Sequence, residues 1–288
     1  MTVADRWEKS RGMALRFADH EFAALPALRW HPEAKRIRAF VGDATVVEST
    51  RARIVWEPRR VVPSLAVPVD DIDGSLVTAE RDTAEERAVQ LRDGPPVLDP
   101  STWFTFHSAQ GRSFDVVTGN STLPAAAFAP ADADLDGYVI VDFDAFDEWR
   151  EEDEVLVGHA RDPFKTIDTR RSSRRVEVEI AGVIFADSTR PVMLFETYLP
   201  TRYYLPLEDV RMDLLVPSAT ASVCAYKGQA RYWSAHIDGT VVTDVAWSYD
   251  DPHNYATLVR DMICFFNERV DVSVDGERLA RPRSPWSD

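Results

Sequence analysis

"RVEVEIAGVIFADSTRPVMLFE", Arg175 to Glu196, is the stretch whose reading decides the fold. Val176, Val178 and Ile180 alternate with Arg175, Glu177 and Glu179. A period of two puts the apolar side chains on one face of a strand and the charges on the other. The stretch also has a counterpart. "RIRAFVGDATVVESTRARIVWE", Arg36 to Glu57, aligns with it without a gap at an offset of 139 positions. Arg36/Arg175, Ser49/Ser188, Thr50/Thr189, Arg51/Arg190 and Glu57/Glu196 are identical pairs. Ile37/Val176, Val41/Ile180, Glu48/Asp187 and Trp56/Phe195 are conservative ones. An ungapped match in one hydrophobic pattern predicts two tandem copies of a small β domain.

Working outward, "HSAQG" from His107 stands where "CAYKG" from Cys224 stands in the second copy. The offset there is 117, so the first copy carries 22 extra residues. They fall on a charged, proline-bounded stretch, Asp73 to Pro100, that is helix-compatible from Asp82 to Arg92 and reads as a surface-loop insertion. The expected organisation is an extension at 1–27, a degenerate first copy at 28–163 and a second copy at 164–288. "RDPFKTIDTRRSS", Arg161 to Ser173, is the polar junction, and the copies are expected to pack together. Hairpin signals stand at Gly119-Asn120, Asp238-Gly239 and Asp275-Gly276. The fold class is therefore mainly β with few short helices, one of them expected at Asn254–Cys264 and another in the N-terminal extension.

Composition sets limits. The chain has 288 residues, of which 45% are hydrophobic, enough for sizeable cores. A net charge of −15 repels nucleic-acid backbones and anionic lipid, so neither is an expected partner. Two cysteines, Cys224 and Cys264, build neither a disulfide framework nor a four-thiolate zinc site, and the six histidines are scattered. No metal and no cofactor are expected. The N-terminus lacks the apolar run of a signal peptide, and no segment reaches the roughly 18–20 apolar residues of a membrane helix. These features predict a cytoplasmic protein.

Several motifs of the second copy occur in order. They are "ADSTRPVMLFETYLPTRYYLPLEDVRMDLL", "CAYKGQARYW", "WSYDDP" and "FFNERVDVSVDG". With this spacing the segment Arg174 to Trp286 resembles domain-of-unknown-function family 427, which also carries a nucleotidyltransferase-like label. The first copy resembles it more weakly. The resemblance implies a β-tent, Mss4-like fold of small twisted sheets around a cleft. It supplies marked positions and no reaction.

Among those positions, Glu196, Arg202, Tyr203, Tyr204 and Asp209 lie within fourteen residues, stiffened by Pro200 and Pro206. Arg202 offers a planar fork for a carboxylate or phosphate, or else pairs with Glu196 or Asp209 inside the fold. Cys224, Tyr226, Lys227 and Gly228 sit at a turn. Lys227 is an anion anchor, a nucleophile if desolvation lowers its pKa, or a solvated turn residue. Cys224 is a thiolate beside cations or a small buried hydrophobe. Tyr232 and Trp233 are consecutive, so only one of them lines a pocket. Trp247 is expected to cap the cleft. In the first copy His107, Ala109 and Gln110 replace Cys224, Tyr226 and Lys227, and "PSLAVP" lacks the arginine and both tyrosines.

The expectation is a site confined to the second copy, binding or acting on a small anionic molecule that bears a carboxylate, phosphate or nucleotide. Arg202, Tyr203, Tyr204, Tyr226, Lys227 and Trp247 are its ligand contacts, and Lys227, Cys224 and Tyr226 its catalytic candidates. Glu196, Asp209, Gly228 and Tyr232 support it. A nucleotidyltransferase and a non-catalytic protein-interaction module are the alternatives. Asp142-x-Asp144 reads as part of an acidic, solvated loop.

Overall fold

The computed structural model describes residues 16–80, 87–90, 94–119, 121–237 and 239–284. Helix α1 (Phe17–Ala24) precedes the strands. The first half begins with β1 (Arg29–Pro32), β2 (Ile37–Val41), β3 (Ala44–Ser49), β4 (Arg53–Trp56), β5 (Ser64–Pro68) and β6 (Ser75–Thr78). The insertion adds a short pair, β7 (Ala88–Val89) and β8 (Val97–Leu98). Then come β9 (Gly111–Thr118), β10 (Ser121–Pro130), β11 (Tyr138–Val141), β12 (Glu148–Glu151) and β13 (Glu154–Leu156).

The second half holds β14 (Ile167–Arg171), β15 (Val176–Ile180), β16 (Val183–Ser188), β17 (Val192–Glu196), β18 (Arg202–Pro206) and β19 (Leu215–Cys224). It closes with β20 (Gly228–Ile237), β21 (Thr240–Ser248), β22 (Met262–Phe265), β23 (Asp271–Val274) and β24 (Glu277–Arg278).

Each half forms its own two antiparallel sheets. In the first, seven strands run β1-β4-β5-β11-β10-β9-β6 and four run β13-β12-β2-β3. In the second, the orders are β14-β17-β18-β22-β21-β20-β19 and β24-β23-β15-β16. With the β7–β8 pair set aside, the two lists coincide strand for strand.

The alternation read from the sequence explains the layering. Val176, Val178 and Ile180 of β15 point inward and are buried, while Glu177 and Glu179 lie on the other face. The inward residues meet Leu205, Ala235, Val245 and Ile263 of the seven-stranded sheet in one core. In the first half Ile37, Ala39 and Trp149 do the same against Ile54, Leu65, Val116 and Val139. The small sheet thus covers one face of the large one, and the second face of each large sheet carries a separate apolar cluster.

The identical Ser and Arg pairs of the repeat prove to be a latch. Ser49 Oγ donates to Asp71 Oδ2 at 2.6 Å, and Ser188 Oγ donates to Asp209 Oδ2 at 2.7 Å. Arg51 pairs with Asp71 as Arg190 pairs with Asp209. Asp209 therefore supports the fold at the sheet edge and does not meet Arg202.

Three expectations change. Asn254–Val259 is a 3₁₀ segment interrupted at Ala256, whose φ is −126°, and the chain then enters β22. Cys264 must pair with Tyr204 and Trp247 in the sheet, which ends any helix before it. The polar junction supplies strand β14, which pairs with β17. Of the expected Asp82–Arg92 helix, Arg87–Gln90 is described and contains β7, paired with β8; residues 82–86, 91 and 92 lie outside the described residues. At the hairpins, Asp275 and Gly276 turn with φ of 54° and 81°, while Asn120 and Asp238 lie outside the described residues. Among the described residues no helix is long and apolar enough to cross a membrane.

Candidate functional site

The uncovered face of the second half's large sheet, the segments flanking β5 and β11 of the first half and the junction before β14 line a cavity of about 470 Å³. The second half contributes Glu196, Tyr204, Tyr226, Lys227, Tyr232 and Trp247. Arg60, Phe104, Asp142, Phe143 and Asp144 come from the first half, and Gly158, His159, Asp162 and Lys165 from the junction. The expectation of a site confined to the second copy is therefore corrected. The first half contributes Arg60–Ser64 before β5 and Asp142–Asp144 after β11, while Val55, Ala66, Phe128 and Ile140 on the equivalent face of its large sheet do not line the cavity.

Glu196 is the charged centre. Its Oε2 accepts from Lys227 Nζ at 2.5 Å, and its Oε1 lies 2.9 Å from Lys165 Nζ. Burial alone would push this carboxyl upward, but Lys227 and Lys165 outweigh burial and bring it down to about 2. Lys227 is buried as well; burial pulls its pKa down, yet Glu196 and the neighbouring Cys224 leave it raised. Lys227 thus stays an ammonium, which removes the nucleophilic reading: desolvation lowers a lysine pKa only where no carboxylate answers it. Two ammonium groups share one carboxylate here.

Arg202 reaches neither of its expected partners. Its Nη1 and Nη2 donate to Glu268 Oε2 and Oε1 at 2.6 and 2.7 Å, and Nη1 also donates to Asn267. The Arg202 and Glu268 side chains are 6% and 0% exposed. The fork is filled by a carboxylate of the chain itself, so Arg202 borders the cavity as a structural ion pair beside Trp247, 5.2 Å from its ring centre. Glu268 lies 66 positions away, and only the β18–β22 pairing brings it close.

The consecutive aromatics split by face. Tyr204 is fully buried on the cavity side, where Trp247 Nε1 donates to its hydroxyl at 3.0 Å. Tyr203 packs on the opposite core and does not line the cavity, which corrects its assignment as a ligand contact. Tyr232 lines the cavity, whereas Trp233 packs on the opposite core. Tyr226 ties the junction down: its hydroxyl accepts from the Asp162 amide at 2.6 Å, and the His159 ring meets it edge-on at 5.8 Å. Cys264 is buried and its thiol is pushed up to about 12 by burial, so it is inert. Cys224 is half-buried and faces the cavity.

Gly228 answers a steric need. Its φ is +92°, and a Cβ there would stand 2.8 Å from His253 Cδ2 and 3.3 Å from the Asp251 carbonyl oxygen. Gly228→Ala is expected to destabilise the chain by roughly 2 kcal/mol or more, since the left-handed conformation alone costs about 1–2 kcal/mol. Gly276→Ala, at φ +81° in open space, should lose only the conformational part. Urea melts of the two variants check the difference.

The first half arranges the equivalent glutamate differently. Glu57 Oε1 lies 3.0 Å from His107 Nδ1, and Oε2 accepts from the Ala109 amide at 3.0 Å. The His107 ring stacks on Phe128 at 3.7 Å. An imidazole and the Arg60 guanidinium thus meet the first half's glutamate, where two lysines meet its counterpart. Asp142 also departs from expectation. It lines the cavity, and burial pushes its carboxyl up. Sequence reasoning missed Asp142, Arg60, His159 and Lys165; the apolar "YVIV" before Asp142 was the available signal, since β11 carries it to the centre of the large sheet.

Residues 168–276 match a family described as a domain of unknown function, DUF427. The match lies in the second half of the chain. No curated protein matches.

Proposed function

We propose that the protein binds a small anionic molecule in the cavity between its halves, with the acid group held at Lys165 and Lys227. The observation that carries this is the shared carboxylate: two ammonium groups, Lys165 and Lys227, gather on Glu196 alone, in a concave site whose other acids, Asp142, Asp144 and Asp162, make no ion pair with either. Aromatic walls, Tyr204, Tyr232, Trp247 and Phe104 among them, suit an apolar or planar body. Its volume falls within the ~300–1,000 Å³ of small-molecule pockets.

We further infer that the two halves are copies of one domain, supported by their coincident strand orders. Small sheets flanking a shared cleft agree with the β-tent, Mss4-like resemblance. The acidic composition favours a soluble, cytoplasmic setting without nucleic-acid or lipid partners. No observation favours nucleotidyl transfer over simple binding: among the described residues no three His, Cys, Asp or Glu side chains gather to hold a metal. The interaction-module alternative needs exposed aromatics, whereas Tyr204, Tyr226 and Trp247 are buried.

A panel of carboxylates and phosphates, followed by calorimetry with and without divalent metal, tests the proposal. Lys165→Met is expected to weaken the best hit about ten- to a hundredfold, the worth of one charge-assisted contact. Metal-dependent turnover would replace binding with nucleotidyl transfer. A fragment of residues 161–288 should still melt cooperatively, because neither of its sheets borrows a strand from the first half. It should not bind the hit, since half the cavity wall is gone. Equal binding by the fragment would move the site.

A further inference from the structure

We propose that the ligand site is bipartite: a second, aromatic chamber receives a planar ring of the same molecule whose acid group sits at Lys165 and Lys227. This rests on the binding function proposed above.

The chamber has a volume of about 220 Å³ and lies against α1, lined by Phe22, Trp30, Trp56, Phe164 and Tyr198 together with Arg29. Alone it falls short of the ~300 Å³ at which small-molecule pockets begin, so it fits one ring rather than a whole ligand. It adjoins the main cavity: Val61, Asp162 and Tyr198 line both. The ring geometry suits a planar guest. Phe164 lies 6.2 Å from Trp56 and Phe22 lies 6.0 Å from Tyr198, and Trp30 and Phe164 are exposed, so the chamber opens to solvent on that side. Arg29 adds a polar contact. Its Nη2 donates to the Arg60 carbonyl at 2.7 Å, while its buried Nε has no hydrogen-bond partner among the described residues. The guanidinium gives that end of the chamber a positive edge for a ring nitrogen or oxygen.

Tyr198 is the partition between the two spaces. Its φ is +66°, a conformation that costs a bulky residue about 1–2 kcal/mol and is kept where structure over-determines it. It follows Glu196 by two residues, so the charged wall and the partition stand no more than ~7 Å apart along the chain. That span sets the ligand: an aromatic ring with a hydrogen-bond acceptor, joined to a carboxylate or phosphate by a short arm.

The test titrates the full chain with propanoate, quinoline and a quinoline bearing a propanoate arm, following calorimetry and the indole N–H signals of Trp30 and Trp56. The joined compound is expected to bind at least about tenfold tighter than the better fragment, as linked ligands do. Phe164→Ala should weaken quinoline and the joined compound about three- to tenfold and leave propanoate unchanged. Lys165→Met should weaken propanoate and the joined compound and leave quinoline unchanged. A joined compound no tighter than its better fragment, or quinoline displaced by propanoate, would overturn the bipartite site. Quinoline failing while propanoate binds would remove the chamber and keep the acid wall. Propanoate failing while quinoline shifts Trp30 and Trp56 would remove the acid wall and keep the chamber.

Discussion

Arg202→Ala is expected to lower the stability of the folded chain by about 3–5 kcal/mol, the cost of breaking a buried ion pair from one side. The guanidinium is engaged by Glu268 through two hydrogen bonds and by Asn267 through a third. Its removal strands the Glu268 carboxylate, which is 0% exposed and would keep only Ser284 Oγ among these partners. The penalty belongs to the orphaned charge and not to the pair itself. Arg202→Met combined with Glu268→Leu should therefore recover most of the loss, because replacing both partners with apolar groups removes the uncompensated carboxylate. Urea unfolding of the two single variants and the double variant measures the coupling. A loss under about 1 kcal/mol for Arg202→Ala, together with lost ligand affinity, would restore the arginine as a ligand anchor.

That prediction marks where the sequence stopped being legible. The strand alternation in Arg175–Glu196 and its echo in Arg36–Glu57 are local, and the structure places those residues in equivalent strands. The turn chemistry at Asp275-Gly276 is equally local. Arg202 had Glu196 and Asp209 within seven positions, and sequence distance suggested them as partners. Its real partner is set by which strands pair, and no short-range pattern encodes that. The cavity was hidden for the same reason. One wall is a set of ordinary alternating strands and the other is loop segments of the first half, and the site exists only because the fold brings them together. Asp142 and Lys165 gain their environment from residues distant in the chain, Arg60 and His107 for the first and Glu196 and Tyr226 for the second, so neither stood out from the solvated charges around it. The contrast between the copies was informative in one respect. Lys227 against Gln110 marked the position where the shared glutamate gains a lysine in one half, while Glu57 meets His107 and Arg60 in the other.

Glu196→Gln should produce a stability loss that depends on pH in a defined window. The Glu196 carboxyl is held at about 2 in the fold against an ordinary value of 4.5. A depressed carboxyl contributes stability above its unfolded pKa and loses it as the pH falls toward its folded value. The contribution is therefore complete above about pH 5 and fades between 4.5 and 2. A shift of that size corresponds to roughly 3 kcal/mol. The raised Lys227 describes the same contact from the other side, present below the ordinary lysine value and lost only above it, so the two are not added. At pH 7 the variant should be about 3 kcal/mol less stable than the natural chain, because two ammonium groups then face each other without their carboxylate. By pH 3 the gap should have narrowed clearly, since the natural chain begins to lose the same interaction by protonation. The remaining carboxylates titrate in both proteins and cancel in the comparison. Paired urea melts at pH 7, 5, 4 and 3 check this, with Lys165→Met as the variant that lightens the positive surplus instead. A gap that stays constant from pH 7 to pH 3 would mean that the Glu196 charge does not hold the cluster, and the acid-binding wall would lose its electrostatic basis.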